Sequence, residues 1–246
     1  MANRKPKTPP PPRRVQAPQR RHAERGGDDL GMRQRAILYA VAGSGIVALI
    51  VVVAIVVIGG GSSKIDDAKV ARLMTAAGCT FKSVKASVPG GQTHVQSLTA
   101  KFPWNTTPPS NGQHYPLWAV WGFYTEPVNP RMVVHKEEHG GVVLWWGTKT
   151  PQATVDKLRA FYDEQSTGTF GTPFANFDSK IAITAWTGNP STYQRNGDFG
   201  TGHIATCPRY DATTKKAFEA FRDAYRGHGP EGIPLSADKP GMGPTQ

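Results

Sequence analysis

The chain has 246 residues, of which 38% are hydrophobic, and its lysines and arginines exceed its acidic residues by 11. This length suits one globular domain with additional segments, and a protein with many membrane spans is excluded because apolar residues are too few. The two cysteines exclude a disulfide-rich scaffold and a zinc site made of cysteine alone.

An uncharged apolar stretch at residues 36–58 follows a strongly basic N-terminal segment. About 20 apolar residues suffice to cross a bilayer, so this stretch predicts one transmembrane helix. Residues 1–35 hold ten lysines and arginines and three acidic residues. The positive-inside rule therefore predicts a single-pass plasma membrane protein with a cytoplasmic N-terminus and an extracytoplasmic C-terminal domain.

Residues 1–35 are rich in proline and basic side chains and poor in apolar ones, which predicts a disordered cytoplasmic tail. Basic residues beside a membrane attract anionic lipid, so we expect the membrane and its anionic lipids as partners. No nucleic-acid partner is expected, because no aromatic residue lies among these basic residues to stack on a base.

Three segments are predicted after the membrane span. Residues 59–77 read as a juxtamembrane linker and short helix, capped by Ser62 or Ser63. Residues 78–229 form the predicted extracytoplasmic domain, and residues 230–246, rich in glycine and proline, form a flexible tail.

Within the predicted domain, apolar and β-branched runs at residues 117–124, 142–146 and 181–186 favour strands. Thr150 with Pro151, and later Asp211, begin helical patterns. Strands that alternate with helices predict one compact domain of the α/β or α+β class.

Cys79 and Cys207 both fall on the predicted outer side of the membrane, where thiol pairs tend to oxidise. We therefore predict a disulfide between them. The alternative is that Cys207 and His203 are ligands of a metal ion.

Four of the seven histidines lie within 46 residues. Clustered imidazoles are common ligands of transition metals such as zinc and copper. We predict that they form a metal site, with Glu138 orienting one imidazole through its second nitrogen. The predicted ligands are His94, His114, His135 and His139.

His135 to His139 also match the H-x-x-E-H pattern of inverted zinc proteases, in which both histidines lie on one long helix. Pro130 lies shortly before this motif, Gly140 follows it, and the flanking valines favour strands. These neighbours predict a hairpin tip or a single helical turn, which disfavours the protease interpretation.

Aromatic residues are numerous between Tyr115 and Trp146. One hypothesis is that their rings bind a cell-wall glycan by stacking on its sugars. Packing in the core is the alternative. Trp145 and Trp146 are neighbours on a predicted strand and would therefore face opposite sides of the sheet.

Three motifs resemble a bacterial family of membrane-anchored extracytoplasmic proteins known as domain of unknown function 3105. They are His94-Val95, PPSNGQHY at residues 108–115, and HKEEHG at residues 135–140 before an apolar strand. The resemblance covers roughly residues 78–229. The family pattern has serine in place of Asn111 and leucine in place of Glu137, so a charge stands where a packed residue is expected.

The resemblance implies that His94, His114, His135, Glu138 and His139 belong to one site, but it implies no reaction. We expect an anchored envelope protein that binds a transition metal, and we favour binding over catalysis. Two alternatives stay open, namely a metal-dependent hydrolase of envelope substrates and a non-enzymatic interaction module with a protein or glycan partner.

Overall fold

Five strands form one mixed sheet in the computed structural model, which describes residues 65–244. Their order across the sheet is β1-β5-β4-β2-β3, with β2 and β3 parallel and all other neighbours antiparallel. This arrangement places the domain in the α+β class. The strands are β1 (Thr80–Lys85), β2 (Val142–Gly147), β3 (Thr169–Phe174), β4 (Ile181–Thr187) and β5 (Thr201–Cys207).

Within residues 65–244, four α-helices accompany the sheet, together with short 3-10 turns at Pro89–Gly91 and Leu235–Ala237. None of the helices within residues 65–244 has the length and apolar character of a membrane span. The span predicted at residues 36–58 lies outside the described residues. The helices are α1 (Asp67–Ala76), α2 (Pro130–Glu138), α3 (Gln152–Glu164) and α4 (Ala212–Tyr225).

Strand β2 is buried on both sides, and its side chains alternate between two hydrophobic clusters. Leu144 and Trp146 pack with α1, α3 and α4, whereas Val143 and Trp145 pack with Val133 of α2. The opposite orientation predicted for the two tryptophans is therefore confirmed. Helix α2 covers one face of the sheet, and the other three helices cover the opposite face.

The strands predicted at residues 142–146 and 181–186 are confirmed, but the one at residues 117–124 is wrong. Residues 117–124 are irregular, with a single bridge between Phe123 and Gly171. Trp121 bonds through its main chain to Gly241 and Met242 instead of to a strand. Trp121 is thus buried without belonging to a strand, and Trp118, Phe123 and Tyr124 are half-buried.

The hairpin tip or single turn predicted around His135 is also wrong, because α2 extends over nine residues. Asn129 caps the helix by accepting a hydrogen bond from Arg131 N, and Pro130 takes the first helical position, where its missing N–H costs nothing. Gly140 has φ +105° just after the helix. Proline and glycine therefore limit the helix at its two ends.

Cys79 and Cys207 form a disulfide that joins the beginning of β1 to the end of β5. The pairing predicted from the sequence is present. His203 lies on β5 with its two ring nitrogens 2.9 Å from Ser83 Oγ and 2.8 Å from Thr187 Oγ1. The alternative metal site of Cys207 and His203 is therefore wrong, since the Cys207 sulfur is in the disulfide and the His203 ring nitrogens are hydrogen-bonded to Ser83 and Thr187.

Glu137 lies fully buried on α2, near Thr184 of β4, and neither carboxyl oxygen has a hydrogen-bond partner among the described residues. Burial raises the pKa of Glu137 well above its usual value, and the nearby Thr184 hydroxyl opposes this only in part. The charge that the sequence places at a packed position is thus removed by protonation.

Replacing Glu137 by leucine is expected to stabilise the metal-free protein by about 1–3 kcal/mol near pH 7. Above a pH of about 4.5 the unfolded chain releases this proton while the folded protein keeps it, so wild-type stability falls as pH rises. The gain should therefore shrink near pH 4.5. Urea unfolding at both pH values measures it, and an equal gain at both would contradict the protonated state.

Candidate metal centre

Helix α2 and the residue that directly follows it, His139, bring three potential ligands to one face of the helix. His135, Glu138 and His139 are spaced by three and four residues, a separation that places side chains on one side of a helix. The indole of Trp118 lies against both imidazoles, with ring centroids 5.1 Å from His135 and 4.7 Å from His139. These ligands are therefore held on a regular element and partly covered by an aromatic ring.

His94 and His114 come from the long irregular segment between β1 and α2. A main-chain bridge joins them, in which Val95 N donates to His114 O and His114 N donates to Thr93 O, each at 2.8 Å. Their rings lie 4.9 Å apart. Although 20 residues separate the two histidines in sequence, their backbone pairing fixes them side by side above α2.

The three imidazoles converge on one carboxylate oxygen, Oε2 of Glu138. His114 Nε2 lies 2.9 Å from it, His94 Nε2 3.3 Å and His135 Nε2 3.9 Å. One donor atom from each of these four residues lies within 4.8 Å of all the others. We call these residues the main group; His94 is exposed, and the other three are buried.

Hydrogen bonds fix the tautomers of two rings in the main group. His114 Nδ1 lies 2.8 Å from Gly112 O, and His135 Nδ1 lies 3.0 Å from Tyr115 O. A carbonyl oxygen can only accept, so each Nδ1 carries a proton and donates it. In the neutral rings, Nε2 therefore presents a lone pair toward Glu138.

The surroundings favour an ionised Glu138 and a neutral His135, whereas they favour the protonated form of His94. Burial acts to raise the pKa of Glu138, but hydrogen bonding with His114, His94 and Tyr193, together with the positive charge of a protonated His114, holds this pKa well below its usual range. Burial, reinforced by His114, lowers the pKa of His135 to about 3. The hydrogen bond to Glu138 raises the pKa of His94. Neutral imidazole and ionised carboxylate are the forms in which these side chains bind metals, so a metal ion bound here displaces any proton held between His94 and Glu138.

The second carboxylate oxygen of Glu138 is also engaged, because the Tyr193 hydroxyl donates to Oε1. Burial and the charge of Glu138 raise the pKa of Tyr193 well above its usual range. Tyr193 therefore stays protonated and donates a hydrogen bond to the carboxylate. Together, Tyr193 and the histidines fix the orientation of Glu138.

A second group of potential ligands adjoins the main group and consists of His135, His139 and Glu231. His139 Nε2 lies 3.5 Å from Glu231 Oε2, and His139 Nδ1 lies 3.5 Å from Oδ1 of the buried Asp238. Both acids follow α4. We call this set the adjoining group; it shares His135 with the main group.

The chain that carries Glu231 is held to the end of α2 by its backbone. Gly227 N donates to Gly140 O at 2.8 Å, and Glu231 N donates to Glu138 O at 3.4 Å. Gly140 and Gly229 approach so closely that a Cβ on Gly140 would lie 2.8 Å from Gly229 N. Glycine is therefore required where these two segments meet.

The family model described as protein of unknown function DUF3105 matches residues 94–234, more than half of the chain. The chain belongs to the DUF3105 family. No curated protein and no solved structure gives a significant match. The DUF3105 match includes every member of the main and adjoining groups, while Asp238 lies just beyond it.

The predicted site residues of this DUF3105 protein divide between the two groups. The structure brings His94, His114 and His135 together, and it places His139 next to His135 but in the adjoining group. Glu138 offers its oxygen within the main group itself. Tyr193, Glu231 and Asp238 were not singled out from the sequence of the DUF3105 chain, since no histidine or motif marks their segments.

Proposed function

We propose that this domain binds a transition metal ion through His94, His114, His135 and Glu138. The contact that carries the proposal is His114 Nε2 at 2.9 Å from Glu138 Oε2. His114 Nδ1 already donates to a carbonyl, so a neutral His114 directs a lone pair at a negatively charged oxygen. A proton or a metal ion between them removes the repulsion.

The spacing of the donor atoms suits a small divalent ion. Ligand bonds of about 2.0–2.2 Å place the donors of a tetrahedral site roughly 3.3 Å apart. The distances from Glu138 Oε2 to the three Nε2 atoms, 2.9, 3.3 and 3.9 Å, bracket that value. Three imidazoles with one carboxylate favour zinc or copper over magnesium or calcium, which prefer oxygen ligands.

The arrangement favours holding an ion over activating water. Catalytic zinc sites keep one position open for water, whereas the main group supplies four protein ligands. A hydrolase also needs a free base, and both oxygens of Glu138 are engaged, by the histidines and by Tyr193. In this proposal Glu138 is a direct ligand and not, as the sequence suggested, a group that orients an imidazole.

We further propose that the domain faces the outside of the plasma membrane, behind an N-terminal anchor at residues 36–58. The apolar, uncharged character of that stretch and the basic residues before it support this topology. The disulfide between Cys79 and Cys207 supports an oxidising environment for the domain. A metal ion bound by this domain would therefore lie outside the cytoplasm.

The test is zinc binding by the full chain, purified in detergent and freed of metal with a chelator. We expect tight binding of Zn²⁺ and a matching rise in thermal stability, since a ligand that binds only the folded state stabilises it. The His114→Ala variant should lose both effects.

The exposed His228, which belongs to neither group, provides the matched control. His228→Ala should bind Zn²⁺ as the wild type does. Failure of the wild type to retain zinc or copper, or undiminished binding by His114→Ala, would rule out the proposed site.

A further inference from the structure

The two groups of ligands cannot both be complete at the same time. His135 belongs to both, but its Nδ1 donates to Tyr115 O, so only Nε2 has a lone pair for a metal. One lone pair binds one ion. The shared histidine therefore makes the main group and the adjoining group alternative positions for a single ion.

The adjoining group has the features of a metal site in its own right. His139 Nε2 lies 3.5 Å from Glu231 Oε2, and on the other side of the ring Nδ1 lies 3.5 Å from Asp238 Oδ1. A carboxylate that accepts a hydrogen bond from the second ring nitrogen is a common arrangement at metal sites, and Asp238 lies in that position at the longer distance of an ion pair. Asp238 is 1% exposed, and its oxygens have no hydrogen-bond partner among residues 65–244.

The two groups differ in how many ligands the protein supplies. The main group supplies four, whereas the adjoining group supplies three and leaves a coordination position for a ligand from solution. Glu231 is 27% exposed at its side chain, while His139 and His135 are 8% and 4% exposed. The open position of the adjoining group would therefore lie on the side of Glu231.

Resting on the proposed function, we propose that His135, His139 and Glu231 form an exchange position, through which a zinc or copper ion enters and leaves the main group. The ion first binds to His139 and Glu231 and is then transferred by His135 to His94, His114 and Glu138. His135 lies between the two sets, with ring centroids 5.0 Å from His94 and 4.9 Å from His139. No covalent bond of the protein changes in this transfer.

The first measurement is the stoichiometry and affinity of Zn²⁺ binding to the full chain and to the Glu231→Gln and His139→Ala variants. We expect one ion per wild-type chain. Both variants should keep the equilibrium affinity of the wild type, since the four main ligands are intact, whereas His114→Ala removes one of them and should not.

The second measurement is the rate of exchange, followed by adding a chromophoric chelator to the zinc-loaded proteins. Glu231→Gln and His139→Ala should lose and take up Zn²⁺ at least about tenfold more slowly than the wild type, which corresponds to a barrier higher by about 1.4 kcal/mol. His228→Ala, on the same connecting segment but in neither group, should exchange at the wild-type rate.

A third variant isolates the exchange position. The double variant His94→Ala with His114→Ala should retain weak binding of one Co²⁺ ion, seen in its visible absorption, and adding Glu231→Gln should abolish it.

Two ions per chain, unchanged exchange rates in both single variants, or a loss of affinity in His139→Ala equal to that in His114→Ala would overturn the exchange position. The main group would survive each of these results. A wild-type chain that binds no metal would instead overturn the proposed function and the exchange position together.

Discussion

Replacing Glu138 by glutamine is expected to lower the affinity for Zn²⁺ by more than about 100-fold, beyond the loss seen when only an orienting group is removed. The carboxylate supplies the negative charge on which three imidazoles converge, and its oxygen lies 2.9 Å from His114 Nε2. Glutamine keeps the shape but removes the charge. Competition with a chelator of known affinity measures the change.

Glu126, an exposed glutamate outside both groups, offers the matched control. Glu126→Gln makes the same chemical change and should leave zinc affinity unaltered. A loss of about 100-fold or less in Glu138→Gln would mean that this carboxylate only orients an imidazole, which is the role predicted from the sequence.

Removing the disulfide is expected to destabilise the domain by about 4 kcal/mol, because it joins residues 128 positions apart and restricts the unfolded chain. The double variant Cys79→Ala with Cys207→Ala should unfold at a temperature lower by roughly 8–16 °C. Both cysteines are buried, and alanine introduces no polar group. Thermal unfolding with and without reductant measures the effect.

Reductant serves as the control for this variant. It should destabilise the wild type by a similar amount and leave the double variant unchanged. A wild type whose stability does not respond to reductant under unfolding conditions would contradict the expected contribution of the disulfide.

The parts of the fold that were predictable are those governed by local patterns. Strands β2 and β4 are continuous apolar runs, and Asp211 caps α4 as its position predicted, by accepting hydrogen bonds from Thr213 N and Thr214 N. Strands β1, β3 and β5 were not predicted, because polar and small residues interrupt their patterns. Their place in the sheet depends on pairing with distant strands.

The error at α2 has a local physical cause. Pro130 suggested that a long helix is interrupted here. Proline at the first position of a helix, however, fits the helical backbone and removes no hydrogen bond. Val133 and Val134 favour strands, yet both are buried as helical residues, and Val133 packs against the sheet. Tertiary packing therefore outweighs their intrinsic preference.

The candidate site was only partly predictable for a different reason. Clustering along the chain indicated the histidines, since imidazole is uncommon enough for its grouping to be informative. Glu231 and Asp238 are ordinary acidic residues in a segment rich in glycine and proline, and only folding brings them beside His139. Sequence spacing carries no signal for contacts of this kind.

Because Gly140 and Gly229 approach so closely, the end of α2 and the segment after α4 are held together through their main chains. Their spacing is set by main-chain atoms, so exchanging surface side chains on either segment leaves it unchanged. A methyl group at either glycine would instead act as a wedge and push Glu231 away from the imidazoles. The distance between Glu231 and the imidazoles of α2 thus depends on two residues that carry no side chain.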